Sequence, residues 1–274
     1  GAEQDDQSMI PSLIQLILAF IIATGIGGVS AILGLGGGFL AVPTLTLLFG
    51  LDLKTAIGTS LAVAPFTALS GGIVYGRQGR LCWKTIAVAA VPCMAGSLIG
   101  AFLTGFVSDG TLTLLFGAVM LILAAQMVLP GLSLVPAIVK GPSFCQAYSS
   151  DTEELPEVRM YYLHLGIWGL VAGAMSGATG LSSGIAMVSA MISGGLPVHA
   201  AVGTSMAIIF ATSSTGALAH IVQGNYSLQY FVSYAIGVSL GAFAGAQVAA
   251  RIPARTIQLV FGFLIAAIGI FMMI

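Results

Sequence analysis

Long uncharged apolar runs recur along the chain, and most are long enough to cross a lipid bilayer as a helix. A spanning helix needs about 20 apolar residues, because its backbone groups have no water to bond within the lipid. The runs cover residues 9–31, 55–75, 85–108, 110–129, 165–197, 200–250 and 256–274. Only 6% of the residues are charged, against about 25% in soluble domains. The runs do not alternate as barrel strands do, so the sequence predicts an all-α polytopic membrane protein.

The second half of the chain repeats the first at an offset of 145 residues. The segment AIGTSLA at 56–62 aligns with AVGTSMA at 201–207. With a one-residue change of offset near position 50, GLGGG, at 34–38, aligns with GLSSG, at 180–184. A single offset that holds along most of each half predicts an internal duplication.

Each half is predicted to hold five helical elements, the second of which is short and follows the glycine-rich break. The predicted elements are 10–33, 38–50, 54–76, 82–106 and 110–129, then 161–178, 184–195, 199–220, 226–250 and 254–274. The predicted organisation is an N-terminal tail over 1–9, a first repeat over 10–129, a cytoplasmic linker over 130–160 and a second repeat over 161–274.

Basic residues indicate how the elements cross the membrane. If all ten elements cross, seven of the eight Lys and Arg residues fall on one side and Lys54 on the other. If the short elements only re-enter, the split is five to three. The positive-inside rule favours the first arrangement, with the basic loops in the cytoplasm. Five crossings per half make the repeats inverted, which is typical of secondary transporters with a substrate site where interrupted helices meet.

The adjacent glycines predict paired helix breaks that face a cavity. Glycine costs a helix about 1 kcal/mol relative to alanine, and broken backbone at membrane depth requires cover from protein or a water-filled cavity. A helix that starts at such a break presents unpaired N–H groups that suit an anion. Close helix packing by the glycines, and hydroxyl bonds within the helices, are the structural alternatives. The predicted substrate-binding residues are Gly36, Gly37, Gly38, Thr59, Ser60, Ser182, Ser183, Thr204 and Ser205.

Ionisable residues narrow the function classes. No Asp or Glu lies within a predicted span, which argues against cation transport because cation carriers place carboxylates there. Candidates for coupling or anion contact are His220 with its repeat partner Tyr75, and Lys54 with its repeat partner His199. No catalytic residue, metal ligand or cofactor is predicted. GLSSG matches the hydrolase pattern G-x-S-x-G, but its repeat partner has no serine and no acid is available, so an enzyme is not expected.

The segment GLGGGFLAVP at 34–43 followed by AIGTSLA, with the copies GLSSGIAMVS at 180–189 and AVGTSMA, resembles the TauE/SafE sulfite exporter family, also called the TSUP membrane permeases. The resemblance implies a multi-pass carrier of the prokaryotic inner membrane that moves small sulfur-containing anions, such as sulfite, sulfonates or sulfoacetate-like molecules, by alternating access.

An anion channel of similar inverted-repeat architecture is the alternative, and saturable flux distinguishes the two. The expected partners are the anion and the lipid bilayer. Nucleic acid is not expected, because the chain has no basic surface. The identity of the anion, the direction of transport, its coupling and a homodimer all stay open.

Overall fold

A computed structural model describes residues 13–128, 156–249, 263 and 266–270, and no strand occurs within these ranges. The helices are α1 Leu13–Leu33, α2 Gly38–Leu47, α3 Leu53–Arg77, α4 Trp83–Thr104, α5 Asp109–Val128, α6 Pro156–Thr179, α7 Gly184–Ser193, α8 Val198–Val222 and α9 Leu228–Val248. The predicted all-α class is confirmed. The tail 1–9, most of the linker 130–160 and most of the last predicted element, 254–274, lie outside the described residues.

The described helices fall into two length classes. Helices α1, α3, α4, α8 and α9 are long and apolar enough to cross a membrane, and their exposed faces carry large apolar side chains such as Leu18, Phe66 and Leu218. Helices α2 and α7 have ten residues each. That length gives about 15 Å, half of an apolar core of about 30 Å. Neither α2 nor α7 spans that thickness alone, and the prediction that all ten elements cross stays a prediction.

Two kinds of residue move the helix ends away from the predicted positions. Helices α2 and α7 end before residues 50 and 195 because Gly50 and Gly195 have φ angles of 70° and 96°, and this left-handed conformation ends a helix. Helix α6 begins at Pro156, five residues earlier than predicted. Proline is favoured in the first helical turn, where its missing N–H would have no partner.

The helices pack mainly against helices of the other half. Helix α1 packs along α9, and α4 packs along α6. Helix α3 packs against α8 and α9, and α8 packs in turn against α3 and α4. Each contact has a counterpart between the equivalent helices of the two halves: α1–α9 corresponds to α6–α4, and α3–α9 corresponds to α8–α4. The duplication seen in the sequence is therefore also present in the packing.

Helices α3 and α8 run antiparallel at the centre of the molecule. Gly58, near the start of α3, lies against His220, near the end of α8. Further along α3, Gly71 lies against Met206, near the start of α8. The equivalent helices of the two halves therefore point in opposite directions.

Helix α9 runs parallel to both α1 and α3. Consequently α1 and α3 run in the same direction, and the chain turns back between them through α2. The contacts that establish the directions are Gly237 with Phe20, Gly245 with Gly28, Ser227 with Thr59 and Phe231 with Phe66.

Glycines allow the paired helices to approach closely. A Cβ atom at Gly241 of α9 would collide with the carbonyl of Thr24 on α1, and one at Gly96 of α4 would collide with the carbonyl of Leu170 on α6. Small residues at such positions let helix backbones touch, which is the usual basis of helix association in lipid.

Replacing Gly241 with alanine should therefore destabilise the protein by about 1–3 kcal/mol, because the added methyl group overpacks the α1–α9 interface. Gly25→Ala is the control, since nothing lies within 4 Å of a Cβ at that position. It should be neutral or stabilise by up to about 1 kcal/mol through helix propensity. Thermal unfolding in detergent measures both variants, and equal melting temperatures would contradict the close packing at Gly241.

Candidate functional site

The two glycine-rich breaks meet face to face in the interior. Gly38 packs against the carbonyl of Gly180, and Gly184 packs against the carbonyl of Gly34, so closely that a Cβ atom at Gly38 or Gly184 would collide. All residues of 34–38 and 180–184 are buried. The structure thus brings together the break residues predicted from the sequence, which are Gly36, Gly37, Gly38, Ser182 and Ser183.

Left-handed backbone explains why the first break needs more glycines than the second. Gly34, Gly36 and Gly37 have φ angles of 75°, 72° and 83°, a region that residues with a Cβ rarely adopt. In the second break Gly180 has a φ of 70°, whereas Ser183 has an ordinary helical φ of −59°. The two breaks therefore begin alike, at Gly34 and Gly180, and differ in backbone conformation where the two serines replace glycines.

The breaks leave buried backbone amides without acceptors. The first amides of a helix have no partner within that helix. Within the described structure, the backbone amides of Gly36, Gly37, Ser182 and Ser183 donate no hydrogen bond to a backbone acceptor. Hydroxyls, backbone groups and apolar side chains make up the nearest neighbours of the break glycines, with no Lys or Arg among those described. The site is therefore rich in neutral donors.

Serine hydroxyls tie each break to the other half. The Ser60 hydroxyl lies 3.3 Å from the carbonyl oxygen of Gly180. The Ser205 hydroxyl lies 3.1 Å from that of Gly34, and the Ser182 hydroxyl bonds to the carbonyl of Leu35. Both predicted serines of the GTS triplets thus reach the breaks, and both bonds cross between the repeats.

The predicted threonines, in contrast, hold helix ends. The Thr59 hydroxyl accepts the amide of Ser227 at 3.0 Å and donates to the carbonyl of Thr55 at 2.7 Å. The Thr204 hydroxyl accepts the amide of Cys82 at 3.1 Å. Ser227 and Cys82 immediately precede α9 and α4. With its only proton on Thr55, the Thr59 hydroxyl has none to donate to an anion in this conformation.

The glycines of the GTS triplets complete this contact. A Cβ atom at Gly58 would collide with the carbonyl of Asn225, and one at Gly203 would lie 2.8 Å from the carbonyl of Arg80. Each triplet therefore has three tasks. Its glycine makes room for the turn that follows α8 or α3 in the other half. Its threonine bonds the residue before the helix that comes after that turn, and its serine bonds the glycine-rich break of the other half.

His220 and Tyr75 perform the same task in the two halves. The Tyr75 hydroxyl donates to the carbonyl of Ala31 at 2.8 Å. His220 Nε2 lies 2.9 Å from the carbonyl of Gly177, a bond that places the proton on Nε2. Both carbonyls belong to the last turn of the helix before a break, where a carbonyl lacks its helical partner. His220 is fully buried.

The structure does not bring Lys54 and His199 to the breaks. They lie in the first turns of α3 and α8, six residues before Ser60 and Ser205 along the chain, which corresponds to about 9 Å of helix. His199 is exposed and Lys54 is half-buried.

Sequence reasoning missed two hydroxyls beside the first break. A Cβ atom built on Gly37 would lie 3.2 Å from Thr67 Oγ1 and 3.6 Å from Ser30 Oγ. Both residues have counterparts in the second half, Thr212 and Ser176, and this repetition was the available signal. Beside the second break lies a small cavity lined by Val119, Ala172, Met175, Leu181, Ser182, Ser183, Ile185 and Ala186.

Comparison with known proteins identifies the family. The sequence model described as "Sulfite exporter TauE/SafE" matches residues 19–272. The chain belongs to this family. The resemblance inferred from the glycine breaks and GTS triplets is therefore confirmed, and the protein is a multi-pass protein of a prokaryotic membrane in a family of membrane transporters.

Individual relatives of the TauE/SafE family support this assignment. The chain is 31% identical over 228 residues to the probable membrane transporter protein YunE of Bacillus subtilis (strain 168), covering 80% of this chain and 82% of YunE. It is 30% identical to the probable membrane transporter protein YdhB of the same organism, with 76% and 80% covered. The probable membrane transporter protein MJ0441 of Methanocaldococcus jannaschii is 25% identical, with 76% and 73% covered. No solved structure matches significantly.

Thr204→Val should destabilise this TauE/SafE protein by about 1–3 kcal/mol, because it removes the hydroxyl that accepts the buried amide of Cys82. Thr24→Val is the matched control, since the Thr24 hydroxyl bonds only the carbonyl of Phe20 in its own helix. Melting temperatures in detergent measure the difference. A Thr204→Val protein as stable as wild type but weak in transport would instead place that hydroxyl on the substrate.

Proposed function

We propose that the protein is a secondary carrier that moves small sulfur-containing oxyanions across the membrane. The observation that carries the proposal is the pair of facing breaks, whose buried amides at Gly36, Gly37, Ser182 and Ser183 lack backbone acceptors. Unpaired amides at helix starts attract anions through their partial positive charge. Sulfite and sulfonates are compact oxyanions of a size that such a cluster of donors can surround, and the family's description names sulfite.

The carrier works by alternating access between two inverted repeats. The antiparallel course of α3 and α8, together with packing that is preserved when the halves are exchanged, supports an axis in the membrane plane. Such a relation is common among secondary transporters. The buried breaks represent a closed state. Loading requires the halves to separate on one side, where bonds such as Ser60 to Gly180 would open first.

No catalytic step is part of this function. The Ser182 hydroxyl, the central serine of the G-x-S-x-G match, donates to the carbonyl of Leu35. The Ser183 hydroxyl is buried, and no acidic side chain is among the nearest described neighbours of the break glycines. A nucleophilic serine needs a base and an orienting acid.

Counterflow in proteoliposomes tests the carrier. Vesicles are preloaded with sulfite, thiosulfate, sulfoacetate, taurine, sulfate or chloride, and uptake of labelled sulfite is followed. We expect saturable exchange with a few sulfur oxyanions and none with chloride. Non-saturating flux of many anions would indicate a channel, and an absence of exchange with the whole panel would contradict the proposal.

His220→Gln tests whether the buried imidazole couples transport to protons. The glutamine amide can donate to the Gly177 carbonyl as Nε2 does, yet it does not titrate. Because Tyr75 performs the same bond in the other half, we expect transport and its response to an imposed pH gradient to be retained. Loss of the pH response with normal exchange at equal pH would assign proton coupling to His220.

A further inference from the structure

Two buried hydroxyls without a hydrogen-bond partner in the described structure lie beside Gly37. Ser30 Oγ and Thr67 Oγ1 are fully buried and have no hydrogen-bond partner. Both lie within 4 Å of the point where a Cβ on Gly37 would stand. Buried hydroxyls are almost always bonded, so two unpartnered hydroxyls that face the same glycine indicate a ligand that bonds both.

Most other hydroxyls in these helices behave differently, although those of Ser97, Ser176, Ser183 and Ser213 also lack a partner in the described structure. Serine and threonine in a helix usually bond the carbonyl of the preceding turn. Thr24, Thr44 and Ser239 do so, and so does Thr212, the repeat partner of Thr67, whose hydroxyl bonds the carbonyl of Ile208 at 2.8 Å. Thr67 therefore departs from both its neighbours and its own counterpart.

The second half differs from the first at two of the matching positions. Ser183 occupies the position equivalent to Gly37 but has a helical φ of −59°, whereas Gly37 has a left-handed φ of 83°. The Ser183 and Ser176 hydroxyls are also unpartnered, but the threonine of this half is engaged within α8. The two breaks thus differ in backbone conformation at this position and in the hydrogen bonding of the threonine beside it.

We propose that Ser30, Thr67 and Gly37 form the binding pocket for one oxyanion, on the first-half side of the paired breaks. This assignment rests on the proposed transport function and places the site off the axis that relates the two repeats. The two hydroxyls donate to the anion's oxygens, and α2, which has ten residues and begins at Gly38, directs its positive end at the same point. All of these groups are neutral, so the anion is selected by the positions of the hydrogen-bond donors.

Paired substitutions at equivalent positions test the assignment. Thr67→Val and Ser30→Ala remove the two hydroxyls, while Thr212→Val and Ser176→Ala make the same changes in the second half. The readouts are the half-saturation concentration of sulfite counterflow and the rise in melting temperature that sulfite produces in detergent. Neither first-half variant breaks an existing hydrogen bond, so both should keep or raise the melting temperature without sulfite.

We expect Thr67→Val and Ser30→Ala to raise the half-saturation concentration about tenfold or more, since each removes a hydrogen bond to a charged group. Both should also diminish the sulfite-induced rise in melting temperature. The second-half variants should stay within about twofold of wild type, as expected for residues outside a binding contact.

The remaining outcomes separate this inference from the proposed function. Wild-type exchange with all four variants unaffected would overturn the pocket and leave the carrier intact. Equal weakening by the first-half and second-half variants would overturn its off-axis position. Absence of exchange in wild type with the whole anion panel would overturn the proposed function and this inference with it.

Discussion

The direct contact between the two glycine-rich breaks is the constraint on which the rest of the structure depends. Gly38 touches the carbonyl of Gly180, and Gly184 touches that of Gly34, so neither position accepts a side chain. Two broken helices can lie deep in a membrane protein only when something covers their exposed backbone. Here each break covers the other, and the hydroxyls of Ser60 and Ser205 supply bonds to the freed carbonyls.

The same dependence explains the GTS triplets. One residue of each triplet serves the facing break, and the other two serve the turn and the helix that follow the partner helix. Because both triplets do this, α3 and α8 position six further segments of the chain, three through each triplet. A membrane protein gains little from apolar burial between helices, since lipid is equally apolar, and packing and hydrogen bonds must supply the specificity.

Much of this fold is readable from the sequence, because lipid imposes a length and a polarity that show directly in the residues. The apolar runs gave the long helices, adjacent glycines gave the breaks, and the repeat paired His220 with Tyr75. The roles of Thr59 and Thr204 were not readable, since their partners lie 168 and 122 residues away along the chain. A hydroxyl that binds an anion and one that caps a distant helix look alike in one sequence. Ser30 and Thr67 repeat as Ser176 and Thr212 in the sequence, but the missing hydrogen bonds that single them out beside Gly37 are a property of the folded structure.

The neutrality of the paired breaks has an electrical consequence. None of the nearest described neighbours of the break glycines is Lys or Arg, so an anion held there as proposed would keep a net charge that moves with it. The loaded and empty forms of the protein then differ in charge, and the membrane voltage acts on the loaded step alone. A voltage that is negative inside favours outward movement of a monovalent anion by about 2.3 kcal/mol per 100 mV. An energised cell would thus bias such a carrier toward export without any ion-coupling residue in the protein.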